Sequence, residues 1–100
     1  MPYDKKMDIV SVSHKGLKDY IEKNDPKGLP QDKVSRIQNV LAALISAPNM
    51  EAVSGPPGWR IHQLKGDRQG QWSISVSGNW RMTFAIEDGN IADLDLEDYH

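Results

Sequence analysis

His62, Lys65, Arg68 and Arg81, with Asp98, Tyr99 and His100 at the end of the chain, are the residues whose types and spacing suit chemistry. Cleavage of an RNA phosphodiester needs a base for the 2'-hydroxyl, an acid for the departing 5'-oxygen, and fixed positive charge on the pentacoordinate phosphate. Imidazoles such as His62 and His100 can fill either proton role. Arg81 can hold two phosphate oxygens in a planar fork, while Lys65 offers a compact charge or, crowded by Arg68 and Arg81, a base. Tyr99 could stack on a nucleobase or orient a phosphate, and Asp98 could tune a neighbouring histidine.

Each residue also has a duller explanation. His62 could be a surface histidine, Arg81 could simply pair with Asp95 across a strand, Lys65 could be solvated, and the chain end could fray. Convergence favours the chemistry: strict alternation sends Arg60, His62, Ser73, Ser75, Arg81, Thr83, Asp93 and Asp95 to one face, beside a loop that carries Lys65 and Arg68. Other site classes fall away. The sequence has no Gly-x-Ser-x-Gly nucleophile elbow and no phosphate-binding P-loop string, and His14, His62 and His100 lack the short spacing of metal ligands, so no metal and no cofactor are expected.

The elements that must position these groups follow from periodicity. Ile9, Val10 and Val12 make a short β-rich run, and Ser13 is a plausible N-cap for a helix with Leu17, Tyr20 and Ile21 on one side. Residues 24–30 read as a turn, with Pro30 opening a second helix. Val34, Ile37, Val40, Leu41, Leu44 and Ile45 form its apolar stripe until Pro48 stops it, and residues 48–58 read as an irregular connector. From Trp59 the period becomes two. Trp59 and Ile61, then Trp72, Ile74 and Val76, then Trp80, Met82, Phe84 and Ile86, and finally Ala92, Leu94 and Leu96 alternate with polar residues. Parity across Ser77, Gly78 and Asn79, and across Glu87, Asp88 and Gly89, predicts three-residue hairpin loops and places Arg81 between Ser75 and Asp95. The expected fold is α+β: one antiparallel meander with two helices on its apolar face and a polar face opposite.

Length and composition agree with a small domain having one core. The chain has 100 residues, no cysteine and 38% hydrophobic residues, so a single domain over residues 1–100 is expected, with residues 1–6 as a possible N-terminal extension and Met7 a possible alternative start. No apolar stretch is long enough to span a bilayer and the start lacks a signal-peptide core, which predicts a cytoplasmic address without membrane contact. The net charge of −2 hides a segregation. Residues 1–57 carry eight Lys or Arg against seven acids, residues 58–86 carry four against Asp67 alone, and residues 87–100 carry six acids and no Lys or Arg. A protein that grips nucleic acid unaided would be more basic, because counterion release supplies most non-specific affinity. The acidic end could equally pair with the basic middle within the sheet.

The runs GWRIHQLKGDR at residues 58–68, GQWSI at 70–74, GNWRMTF at 78–84 and EDYH at 97–100, with HKGL at 14–17 and the helix from Val34 to Leu44, resemble the HigB toxins of the RelE superfamily over residues 8–100. The resemblance implies a RelE-like fold, a small mainly antiparallel sheet of four to five strands with two N-terminal helices packed on one face. It implies the toxin of a type II toxin-antitoxin pair, a metal-independent endoribonuclease that cuts mRNA in the A site of the 70S ribosome and so inhibits translation. Its expected partner is a helix-turn-helix antitoxin of the HigA kind, through which alone it would reach operator DNA. By position, the family's active-site residues fall on His62, Lys65, Arg81, Asp98, Tyr99 and His100, with Arg60, Lys65, Arg68 and Arg81 expected to hold RNA. The sequence departs from the family's usual pattern at Gln63, commonly proline, at Met82, commonly a branched aliphatic, and at Leu96, often tyrosine. If His100 is catalytic, a C-terminal tag should reduce activity with little loss of stability. The competing possibility is a non-catalytic module that uses the same polar face to bind RNA, ribosome or antitoxin.

Overall fold

The period-two half of the chain folds as a meander. In the computed structural model, which describes residues 6–99, α1 (Lys15–Lys23) and α2 (Val34–Ser46) precede β1 (His62–Gln63), β2 (Gln71–Ser77), β3 (Trp80–Glu87) and β4 (Asn90–Asp98). The four strands lie in the order β1-β2-β3-β4, each antiparallel to its neighbour. Leu17 of α1 and Ile37, Val40, Leu41 and Leu44 of α2 form one buried cluster with Ile74, Val76, Met82, Phe84, Ile91, Leu94 and Leu96 of the sheet. Among the described residues neither α1 nor α2 packs on the opposite face of the sheet.

The helices are set by their ends. His14, not Ser13, caps α1: its backbone is extended and its Nδ1 accepts the Leu17 N–H at 3.1 Å. Asn24 closes the helix in the left-handed conformation, φ 56°, and its N–H reaches the carbonyls of Asp19 and Tyr20. Gly16 lets this helix touch the following turn, since a Cβ there would stand 2.2 Å from the Gly28 carbonyl oxygen. Pro30 leads into a 3-10 turn, Gln31–Lys33, that runs on into α2. Ile45, expected in the core stripe, is 47% exposed, because it lies roughly 90° around the helix from the centre of that stripe at about 100° per residue.

The N-terminal β-rich run is not a full strand. Ile9 and Val12 make isolated parallel bridges to Ile91 and Leu94 of β4, and the Met7 N–H bonds to the Ala47 carbonyl at 3.0 Å. Met7 is buried, which makes it part of the core. The expected strand from Trp59 is also shorter. Residues Pro57–Trp59 form a 3-10 turn, Arg60 is left-handed at φ 49°, and pairing begins only at His62.

Both hairpins use two-residue turns instead of the expected three. Ser77 pairs with Trp80 and Glu87 with Asn90. Asp88 and Gly89 both have positive φ, the pattern of a tight turn that matches strand twist. Parity is recovered by irregularities within the strands, between Ser75 and Ser77 in β2 and at Asp93 in β4, where φ is 53°. The second of these has consequences for the site. Ile91, not Ala92, faces the core opposite Ile86; Ala92 pairs with Ala85 on the other face, and beyond the bulge Thr83 lies opposite Asp95 and Arg81 opposite Glu97.

Candidate active site

Antiparallel register arranges the polar face, opposite the helices, in rows. One row runs His62, Ser73, Thr83, Asp95, and the next runs Ser75, Arg81, Glu97. Neighbouring strands lie about 4.8 Å apart, so His62 stands about 10 Å across the sheet from Thr83, measured between backbones. The chain between β1 and β2 is folded back over these rows. Gly66 and Gly70 take positive φ, the Leu64 N–H bonds to the Gln71 carbonyl at 2.8 Å, and the 3-10 turn Gly66–Arg68 delivers the Arg68 side chain onto the sheet.

Glu97 is the hub of the polar network on this face; it opens the EDYH run, but neither that resemblance nor strand alternation gives it a role. Its carboxylate accepts from Nη1 of Arg68 at 2.8 Å and also from Nη2 of Arg68. It further accepts from Nε and Nη2 of Arg81 at 3.3 and 3.1 Å and from Oγ1 of Thr83 at 2.8 Å. Arg68 is held from its other edge, where Nε donates to Gln71 Oε1 at 2.7 Å. The Arg68 hydrogen bond, with help from Thr83 and Arg81 and against the opposing effect of burial, holds the Glu97 carboxyl down at about 2. In return Glu97 raises the Arg68 guanidinium above its ordinary value. The expected Arg81–Asp95 pairing is replaced by Arg81–Glu97, because the bulge at Asp93 advances the register beyond it.

Arg81 is gripped on a second side: its Cζ lies 4.2 Å from the centre of the Tyr99 ring, a cation–π contact. Tyr99 is 40% exposed, and its N–H is tied to the Asn79 carbonyl at 2.8 Å. Asp98 is the last residue of β4; it lies opposite Trp80, out of phase with Glu97 and Tyr99. His100 lies outside the described residues. His62 is exposed, and its Nδ1 is 2.6 Å from the Arg60 carbonyl oxygen. A carbonyl only accepts, so Nδ1 carries the proton and Nε2 is left for other chemistry. The left-handed backbone of Arg60 belongs to this arrangement, and it takes Arg60 out of the strand alternation expected for it. Lys65 is exposed and begins the turn that carries Arg68. The structure therefore brings together Arg68, Arg81 and Thr83 around Glu97, with the Tyr99 ring against Arg81 and His62 in the adjoining row. Among the described residues no cluster of three or more His, Asp or Glu side chains of metal-binding kind occurs, and no helix is long and apolar enough to cross a membrane.

Solved structures share this architecture. The toxin YafQ in the DinJ–YafQ toxin-antitoxin complex of E. coli matches with a TM-score of 0.61 at 15% identity, covering 93% of this chain and 92% of that one. The YoeB–YefM complex of Staphylococcus aureus matches with a TM-score of 0.60 at 19% identity, covering 95% and 98%. At such identities the likeness defines the fold, that of the RelE-like toxins. Sequence narrows it further: residues 10–100 match the model of the RelE-like toxins of type II toxin-antitoxin systems named HigB, and the chain belongs to that HigB-like family. It is 42% identical over 92 residues to the endoribonuclease HigB of Proteus vulgaris, covering 92% of this chain and 99% of that relative. Two of the departures from the usual family pattern, Met82 and Leu96, lie directly opposite each other and are both buried, whereas Gln63 is exposed on the short first strand.

Proposed function

We propose that this toxin is an endoribonuclease that cuts mRNA on the ribosome, with the polar face of the sheet as its active surface. A base removes the 2'-hydroxyl proton, the 2'-oxygen attacks phosphorus, and the P–O5' bond breaks as an acid protonates the leaving oxygen. The products are a 2',3'-cyclic phosphate and a 5'-hydroxyl. His62 offers Nε2 to one of these proton transfers, and its Nδ1–H bond to Arg60 gives the ring a defined tautomer and orientation. Arg81 supplies fixed positive charge to the phosphate, aided by Arg60 and Lys65, while Arg68, expected from the family to hold RNA, is engaged within the protein through Nε, Nη1 and Nη2. Asp98, Tyr99 and His100 complete the catalytic set by family position, with the Tyr99 ring supporting Arg81 from its face.

The observation that carries this reading is the placement of an oriented, solvent-facing His62 on the same sheet face as the Arg81–Tyr99 pair in a chain of this family. The ribosome supplies what the chain lacks. With a net charge of −2 the protein has little unaided grip on a polyanion, and an RNA already presented in the A site removes that need. A helix-turn-helix antitoxin of the HigA kind is the expected inhibitor, and the cytoplasm the expected site of action.

The test is to map 5' ends on a defined mRNA with purified protein, comparing translating ribosomes with naked RNA and wild type with the His62→Ala, Arg81→Ala double variant. Cuts in register with codons that need the ribosome and vanish in the variant are expected. A folded wild-type protein that yields no such cuts would refute the proposal and leave a binding module.

A further inference from the structure

A carboxylate between two arginines is an odd component for a site that receives a polyanion. Charge alone says that Glu97 should weaken the site, since it cancels one of the two guanidinium charges and repels phosphate. Its geometry says something else. The carboxylate is only 21% exposed and accepts five hydrogen bonds from three side chains, one on the 66–68 turn and two on successive rows of β3. Nothing else among the described residues joins Arg68 to Arg81.

The direction of the grip is also informative. A guanidinium presents two forked edges, Nε with one Nη and the two Nη together. Glu97 takes the Nε–Nη2 edge of Arg81 and the Tyr99 ring takes a face, and the bonds from Glu97 spare Nη1. Glu97 therefore leaves unused the Nη1–Nη2 edge, the one that can meet two phosphate oxygens. Arg68 is held differently, with Nε, Nη1 and Nη2 all donating within the protein. It braces the carboxylate, which holds Arg81. Because Glu97 is kept down at about 2, it stays ionised throughout the neutral range in which the ribosome works.

We infer that Glu97 is a positioning residue: braced by Arg68 and Thr83, its carboxylate holds the Arg81 guanidinium in the orientation that meets the scissile phosphate. The inference rests on the function proposed above and deepens it. Glu97 touches no substrate atom, and it acts on the reaction only through Arg81. A side chain misplaced by about 1 Å can cost about a hundredfold in rate, which sets the scale of the effect.

The experiment is steady-state cleavage of mRNA on programmed ribosomes by wild type, Glu97→Gln, Arg81→Ala and the double variant. Glu97→Gln is expected to lower kcat by at least tenfold while KM stays level or falls, because the variant gains positive charge but loses the aim of Arg81. A merely structural lesion would not lower KM. In the Arg81→Ala background the same change should cost no more than about twofold, since its target is gone. If Glu97→Gln does not fold, Glu97→Asp, which keeps the charge and shortens the reach, goes through the same cycle with the same expected loss. A Glu97→Gln variant that cleaves as fast as wild type or faster makes Glu97 a charge screen and overturns the inference alone. Equal losses in both backgrounds overturn it too, because Glu97 would then act without Arg81. A wild-type chain that cuts no mRNA on ribosomes overturns the proposed function and this inference together.

Discussion

His14 fills a position that usually goes to Ser, Asp, Asn or Thr, because Nδ1 of an imidazole can accept the Leu17 N–H as a carboxylate would. With Nδ1 as acceptor the ring proton resides on Nε2, the opposite tautomer from His62, whose Nδ1 donates to Arg60. His14→Ala is expected to destabilise the protein by about 1 kcal/mol, and His14→Asp to restore that or exceed it, since a carboxylate also suits the positive end of the helix dipole. Urea midpoints of the three proteins check this; an Asp variant no better than Ala would mean that His14 acts by packing against Gly16 and not as a cap. Residue type explains what was legible at this scale. His62, Arg68, Arg81 and Tyr99 stand out as chemistry-bearing side chains, and alternation alone puts His62 and Arg81 on one face. Glu97 was hidden as one of six acids at the chain end, because its partners depend on a register that local sequence does not encode.

That register belongs to β4 and its bulge. The period-two pattern revealed the meander, the buried face of its strands except at Ala92, and the need for an odd residue after Ile86, and the chain places that residue at Asp93 instead of in the turn. A tight turn through Asp88 and Gly89 followed by a one-residue bulge satisfies the same parity as a three-residue loop. Only the bulged form puts Glu97 opposite Arg81. The bulge is held from outside the meander: the Asp93 N–H donates to Ser11 Oγ at 2.8 Å, in the gap between the two parallel bridges made by Ile9 and Val12. Such a contact spans most of the chain, so nothing near Asp93 in sequence announces it. Left-handed backbone is costly for β-branched residues and free for glycine, which gives a direct test. Asp93→Val should lose about 1–2 kcal/mol in denaturant unfolding, while Asp93→Gly should stay within about 0.5 kcal/mol of wild type. Equal losses in both would show that the Asp93 side chain matters more than its conformation.

At the scale of the whole molecule, the charge segregation along the chain becomes an ion pairing in space. The basic stretch 58–86 and the acidic stretch 87–100 are adjacent in the fold, and Glu97 joins them through Arg68 and Arg81. This pairing makes stability depend on pH in a definite window. The folded protein holds Glu97 at about 2, below its ordinary 4.5, so the fold favours the ionised carboxylate. As pH falls, the unfolded chain takes up the Glu97 proton first, near 4.5, while the folded state still resists, and unfolding becomes easier with each proton so bound. The contribution is therefore complete above about 5, declines through the window down to about 2, and is gone below it. Replacing Glu97 by Gln removes the titrating group together with its charge-assisted bonds, at a cost of about 2 kcal/mol near neutral pH. Urea unfolding of wild type and Glu97→Gln should show that full difference near neutrality, a smaller one at pH 3, and almost none near pH 2. A difference that persisted unchanged into acid would mean that the network is held by shape and neutral hydrogen bonds, and that the segregated charges meet without contributing to the fold.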